Sequence, residues 1–144
     1  HADFNHHRRL NLDRRINLLL YLNRDWQEEY GGHLELWSRD MKTCEQRILP
    51  VFNRCVIFNT TDFSYHGHPE PLTCPDRVSR KSLALYYYTN GRPADEVSTA
   101  HGTLFRPRPG DSVRAQTRML LRRLVPPILL DAARGAKEKR RARG

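Results

Sequence analysis

Apolar and polar residues alternate with a period of two along four short stretches of the chain. RINLLLYLN (residues 15–23), HLELWSR (33–39), RCVIFNT (54–60) and SLALYYYT (82–89) are rich in branched and aromatic side chains, which suit a pleated, half-buried surface. Each predicts a strand; HLELWSR alternates cleanly and RINLLLYLN more loosely. Turn-forming segments separate them. NRDWQEEYGG joins the first two, and Gly31–Gly32 permit a tight reversal or the close approach of another segment, because no Cβ stands in the way. ILPVF carries Pro50, which lacks the N–H that a central strand needs, so it reads as an edge, a bend or a loop. RPADEVSTAHGTLFRPRPGDS is a long turn-rich connection, and after it the period changes. Asp111 or Ser112 can cap a helix through Leu124, Pro126–Pro127 interrupts it, and Pro127 suits the first turn of a second helix running into KEKRRARG. The pattern predicts a mainly β, antiparallel fold with C-terminal helices and no internal repeat.

Charge divides the chain in the same place. Residues 1–105 hold 13 Lys/Arg against 13 Asp/Glu, whereas residues 106–144 hold 12 against 3, so the net charge of +9 belongs to the tail. That tail reads first as a solvated basic end and second as a contact for an acidic partner or a phosphate backbone. At 144 residues one domain is expected. No apolar run approaches the roughly 18 residues of a membrane span, and no signal-peptide pattern is present, so no membrane partner is expected. Cys44, Cys55 and Cys74 form no Cys-x-x-Cys pair, which argues against a disulfide framework or a zinc knuckle and for a reducing, cytoplasmic setting.

The candidate chemistry starts at HADFNHH. A His-x-Asp pair, here His1 and Asp3, needs one distant histidine to become the two-histidine, one-carboxylate triad of non-haem iron, which leaves three positions of an octahedron free. FNTTDFSYHGHPEPL places His66 and His68 just after a predicted strand, on a loop that can face a cavity. RVSRKSLALYYYT follows, with Arg80 at the start of a strand and Ser82 two residues on, pointing to the same face. A guanidinium there can take a carboxylate with two parallel hydrogen bonds, and the hydroxyl can add a third.

In their order along the chain, HADFN, INLLLYLNRDWQEEYGGHLELW, FNTTDFSYHGHPEPL and RKSLALYYYT resemble the Fe(II)/2-oxoglutarate-dependent dioxygenases, and within them the prolyl 4-hydroxylase-like group. The resemblance covers residues 1–89. It implies a double-stranded β-helix, a jelly-roll core, with Fe(II) as metal, 2-oxoglutarate and O2 as cosubstrates and ascorbate as reductant. Carried over by position, His1, Asp3 and His66 match the metal ligands, Arg80 the residue that binds the far carboxylate of 2-oxoglutarate, Tyr21 a tyrosine that assists it, and Ser82 a helper. His66 matches better than His68, which precedes Pro69. The implied reaction is hydroxylation of an unactivated C–H bond, with a prolyl residue of a protein or peptide as one candidate; no residue singles out the primary substrate.

In the family, helices and at least one barrel strand precede the His-x-Asp. Residues 1–105 are therefore expected to be the C-terminal portion of a dioxygenase β-helix domain, incomplete at its N-terminus, and residues 106–144 a basic helical extension. Such a piece alone is expected to associate through strand edges and to turn over 2-oxoglutarate poorly. Two alternatives belong to other classes. An N-terminal His can bind copper through its amine and ring, as in a copper-dependent oxygenase, and the basic tail can make the chain a non-catalytic binding module. His6 and His7 read as surface residues, Trp26, Trp37 and Tyr86–Tyr88 as core and sheet surface.

Overall fold

The computed structural model describes residues 1–111 and 117; the helices expected beyond Ser112 lie outside the described residues. By packing, the chain separates into two units, His1–Leu104 and Phe105–Gly144. In the second, the described part holds a turn in which Asp111 accepts from the Arg108 backbone N–H at 2.8 Å and from its guanidinium at 3.2 Å.

The first unit is built of antiparallel strands: β1 (His6–His7), β2 (Leu12–Tyr21), β3 (Leu34–Trp37), β4 (Cys44–Ile48), β5 (Cys55–Asn59), β6 (His66–Gly67) and β7 (Ser82–Thr89). In the larger sheet β2 is central. It pairs with β7 along one edge and with β1 and β5 along the other. The smaller sheet runs β4-β3-β6. The four stretches whose alternation predicts strands supply β2, β3, β5 and β7. Pro50 follows the end of β4 and is fully buried, with its carbonyl accepting from Asn23 Nδ2 at 2.6 Å. This is the bend that its missing N–H implies.

Alternation then decides what faces inward. From β2 come Leu19 and Tyr21, opposite Val56 of β5 and Ser82 of β7 respectively; from β3 come Leu34 and Leu36, with Ile48 of β4 opposite Leu34. Tyr21, Leu34 and Val56 are the buried centre, and Leu19, Leu36, Ile48 and Phe58 pack around them. The core therefore joins the inner faces of both sheets, and burying a side chain such as Leu34 stabilises it by about 1.5–3 kcal/mol. On the other face of the larger sheet, Ile57, Leu83, Leu85 and Tyr87 are exposed. Trp26 is buried, with its indole N–H bonded to the Gly31 carbonyl at 3.0 Å.

At one position β2 departs from strict alternation. The register passes from Arg14 opposite Tyr88 to Ile16 opposite Tyr87, so Arg15 is an extra, bulged residue. A bulge reverses the parity of everything before it. Arg14 and Asn17, which plain alternation would send to opposite faces, are both buried.

Candidate active site

His1 and His66 exchange backbone hydrogen bonds at 3.0 and 2.9 Å, and His66 also pairs with Leu36 of β3. This pairing sets the two imidazoles side by side, with ring centroids 4.5 Å apart. On the far side of the same segment, Ala2 and Leu104 exchange backbone hydrogen bonds, both 2.8 Å. Extended backbone turns the residues on either side of Ala2 to one face, and so Asp3 joins His1 there. His1 Nε2 lies 3.4 Å from Asp3 Oδ1, and His66 Nε2 lies 3.6 Å from Asp3 Oδ2. Among the described residues these three are the one group of His, Cys, Asp and Glu able to hold a metal, with one ligand atom of each within 4.8 Å of the others.

The donor chemistry fits a divalent cation. His66 Nδ1 lies 2.9 Å from the Ser64 carbonyl, which can only accept, so Nδ1 carries the proton and Nε2 presents a lone pair toward Asp3. Burial pushes the His66 pKa down and the positive charge of His1 adds to this, against the Ser64 bond and Asp3, so the ring is neutral at pH 7. Burial would raise Asp3, but hydrogen bonds from His1 and Asn17, the Arg14 guanidinium and, in acid where its ring is protonated, His66 outweigh it, holding the carboxyl well below the usual carboxylate range. Metal–ligand bonds of about 2.1 Å at right angles would put donor atoms about 3 Å apart. With one donor atom from each residue the separations lie within 4.8 Å, so a bound ion would draw the three together by up to about 2 Å.

Sequence reasoning missed the partners of Asp3. Arg14 Nη2 donates to Asp3 Oδ2 at 2.9 Å and Asn17 Nδ2 to the same oxygen at 2.7 Å, while Arg14 also donates through Nε and Nη2 to Asn17 Oδ1 at 3.1 and 2.8 Å. The Arg14 guanidinium lies 4.6 Å from the Phe4 ring and 3.9 Å from the Tyr86 ring. An Arg and an Asn beside an otherwise apolar strand were the available signal, but only the bulge shows that they share a face.

Arg80 and Tyr21 also come together. Arg80 Nε donates to the Gly32 carbonyl at 2.8 Å and its Nη2 to Tyr21 Oη at 3.4 Å. These bonds leave other donors of the guanidinium fork for a ligand. Tyr21 is fully buried; burial raises its pKa against the opposing Arg80 charge, so the phenol keeps its proton. Gly32, at φ +70, permits the close approach: a Cβ there would stand 2.9 Å from Arg80 Cδ and 2.7 Å from Leu72 Cδ2. The strand begins at Ser82 rather than at Arg80, which precedes it. Ser82 stands opposite Tyr21, and among the described residues no hydrogen bond joins its hydroxyl to Arg80.

His68 lies within reach of the charges of both Arg80 and His1, which add to partial burial in lowering its pKa. His6 bonds Asp13 at 3.0 Å, buried His33 bonds Glu28 at 2.8 Å and His101 bonds Asp62 at 2.8 Å, so each has a structural partner.

Two antiparallel sheets with a His-x-Asp segment, a distal His and a strand-entry Arg define a class, and residues 1–88 match the 2OG-Fe(II) oxygenase superfamily. The chain belongs to that superfamily, whose metal is Fe(II) and whose cosubstrates are 2-oxoglutarate and O2. More particularly, it is similar to prolyl 3-hydroxylase OGFOD1 of Mus musculus, at 32% identity over 79 residues that make up 52% of this chain and 14% of that protein. The chain thus spans a small part of the length of this curated relative. Among the described residues no helix is long and apolar enough to cross a membrane.

Proposed function

We propose that this chain carries the metal and cosubstrate sites of an Fe(II)- and 2-oxoglutarate-dependent hydroxylase acting on an unactivated C–H bond of a prolyl residue in a protein or peptide. The observation that carries the reading is the convergence of His1, Asp3 and His66, in a chain of this superfamily that also joins Arg80 to Tyr21. The prolyl substrate rests on the similarity to a prolyl 3-hydroxylase. Residues 1–105 act as the C-terminal portion of the catalytic β-helix domain, and 106–144 as a basic extension whose 12 Lys/Arg against 3 Asp/Glu suit an acidic partner.

Iron, when bound with both cosubstrates, supplies the oxidising chemistry: one atom of O2 goes to the substrate C–H as hydroxyl and the other to succinate, with loss of CO2. The chain's residues position and insulate. His66 offers Nε2 because Ser64 holds the proton on Nδ1, and Asp3 stays ionised at neutral pH. Arg80 receives the far carboxylate of 2-oxoglutarate with its free donors, while the Gly32 carbonyl and Tyr21 Oη hold the fork in orientation and Ser82 adds a hydroxyl nearby. Phe58, whose ring lies 4.7 Å from that of His66, keeps water from the inner side of the site. Ascorbate serves as the reductant that keeps iron ferrous. Cys44, Cys55 and Cys74, none of which is in a disulfide, suit a reducing, cytoplasmic setting.

The full chain, titrated without oxygen, should bind about one Fe(II) or Mn(II), and Asp3→Ala should abolish most of that affinity. Succinate formation should require 2-oxoglutarate and ferrous iron together. Unchanged metal affinity in Asp3→Ala rejects the site, and succinate formation that runs with copper and not with ferrous iron rejects the metal.

A further inference from the structure

Arg80 turns toward Gly32 and Tyr21, and its neighbours Ser79 and Lys81 turn the other way, into solvent. There, with Arg24 and Arg77, they line a pocket of about 300 Å³ whose wall also includes the buried Asn23 and Trp26. No Asp or Glu lines it; Asp25 and Asp76, next in the chain to Arg24 and Arg77, are not part of the wall. Among the described residues no ion pair or hydrogen bond occupies the side chain of Arg24, Arg77 or Lys81. By contrast Arg14, Arg15, Arg47 and Arg92 each face a carboxylate, of Asp3, Glu96, Glu28 and Asp13 respectively. Like charges around one opening repel each other, so an anion placed among them is attracted by all of them at once. The backbone under these side chains is fixed. Lys81 donates its N–H to Asn23 Oδ1 at 2.5 Å, Asn23 Nδ2 donates to the Pro50 carbonyl at 2.6 Å, and the Leu22 N–H donates to the Lys81 carbonyl at 3.1 Å. The Arg24 guanidinium lies 4.1 Å from the centre of the Phe52 ring, a contact that leaves its N–H donors for a ligand.

We propose that this pocket is an anion site for a phosphoryl group, held by Arg24, Arg77 and Lys81 with the Ser79 hydroxyl as a further donor. A phosphoryl group carries about two negative charges at pH 7 and three acceptor oxygens, which suits several cations converging from different sides; a carboxylate offers one charge and two oxygens in a plane. The site lies beyond Tyr21, at the end of β2 away from Arg14 and Asn17, which bond Asp3, so it stands apart from the metal group and does not depend on the metal reading. A bound anion there ties the chain leaving β2 to the chain entering β7, and so braces the two segments that carry Tyr21 and Arg80.

The test titrates the full chain, free of metal and at fixed ionic strength, with inorganic pyrophosphate in a calorimeter. One saturable site is expected. Arg24→Gln, Arg77→Gln and Lys81→Gln should each weaken it by about three- to tenfold, and the three together should abolish it while circular dichroism shows the parent fold. Lys81→Arg, which keeps the charge, should bind more tightly than Lys81→Gln. Two further variants address the other cationic places in the chain: Arg80→Ala, and Arg140→Gln with Arg141→Gln and Arg143→Gln, should both bind pyrophosphate as the parent does. If binding survives the triple change in the pocket, or is lost in Arg80→Ala or in the tail variant instead, the anion sits elsewhere and the proposal fails. Absence of saturable binding overturns it as well. A short phosphoserine peptide in the same titration identifies the source: tighter binding than pyrophosphate assigns the site to a phosphorylated chain, weaker binding to a free phosphate.

Discussion

Gly32→Ala isolates the cosubstrate half of the site, because the added methyl meets Arg80 before anything else that matters. At φ +70 an L-residue costs about 1–2 kcal/mol, which should appear as lost stability. The new Cβ would stand 2.9 Å from Arg80 Cδ, 3.2 Å from Arg80 Nε and 2.7 Å from Leu72 Cδ2. Leu72 is 40% exposed and can swing away. Arg80 Cδ has less freedom, since its Nε is bonded to the Gly32 carbonyl, so it must retreat by about 0.5 Å to reach ordinary carbon contact. The guanidinium, further along the side chain, moves more. A misplacement of about 1 Å in a substrate-holding fork costs up to about 100-fold. The expected result is a 10- to 100-fold weaker affinity for 2-oxoglutarate, measured by calorimetry on the Mn(II)-loaded chain without oxygen, with Mn(II) affinity itself nearly unchanged. Gly31→Ala supplies the control. It also places a methyl at positive φ, +69, but meets only the Pro71 carbonyl at 3.5 Å. It should lose stability and keep its 2-oxoglutarate affinity. Equal loss of cosubstrate affinity in both variants would refute the displacement argument, and a folded Gly32→Ala with parent affinity would remove Arg80 as the anchor.

Tyr21→Phe removes one acceptor from Arg80 and should weaken 2-oxoglutarate binding by about two- to tenfold, the equivalent of about 0.5–1.5 kcal/mol, measured in the same titration. His66→Ala should abolish Mn(II) binding while His68→Ala leaves it within about twofold; the reverse pattern would move the third ligand to His68. For Asp62, burial would raise the carboxyl, but hydrogen bonds from His101, Ser98 and Asn5 lower it below its ordinary value of 3.8. The stability it contributes is therefore full above that value and lost as pH falls through the lower folded-state value. Asp62→Asn should melt at lower temperature than the parent at pH 7, with the gap closing in acid. Leu34→Ala empties part of the shared core and should cost about 2–5 kcal/mol in denaturant unfolding.

Strands whose faces differ in polarity were legible in the sequence, and those without that contrast were not. SLALYYYT corresponds to β7, Ser82–Thr89, residue for residue, and RINLLLYLN falls mostly within β2, because both are dense in side chains that favour a pleated surface. The strand CEQRI escaped notice, since its middle three residues are exposed and polar, as on an edge that leaves one face in water. β1 and β6 are two residues long, too short to carry any period. The grouping of His1, Asp3 and His66 was expected, like that of Arg80 with Tyr21, from the order of their segments along the chain, which resembles a family; a His-x-Asp by itself is a weak signal. Arg14 and Asn17 were not, because a bulge is a property of pairing between strands and leaves no mark in one strand's own alternation. The role of Gly32 was half visible: its freedom was expected, but the side chain that uses it lies on a distant loop.

The central place of β2 also dictates an order of assembly. Its residue Leu18 stands between Ile57 and Leu85, so neither edge of the strand can close until much later parts of the chain have been made. Such non-local pairing is slow, because each contact waits on the closing of a long loop. The segment bearing His1 and Asp3 waits longer still, for its backbone partner on one side is His66 and on the other Leu104. During synthesis, when chains emerge from the N-terminal side, His1 and Asp3 precede both of these partners and are thus among the last residues of this unit to be fixed. On the proposed reading, capture of iron would belong to the final stage of folding, and a ribosome-bound chain still short of Leu104 should bind it poorly.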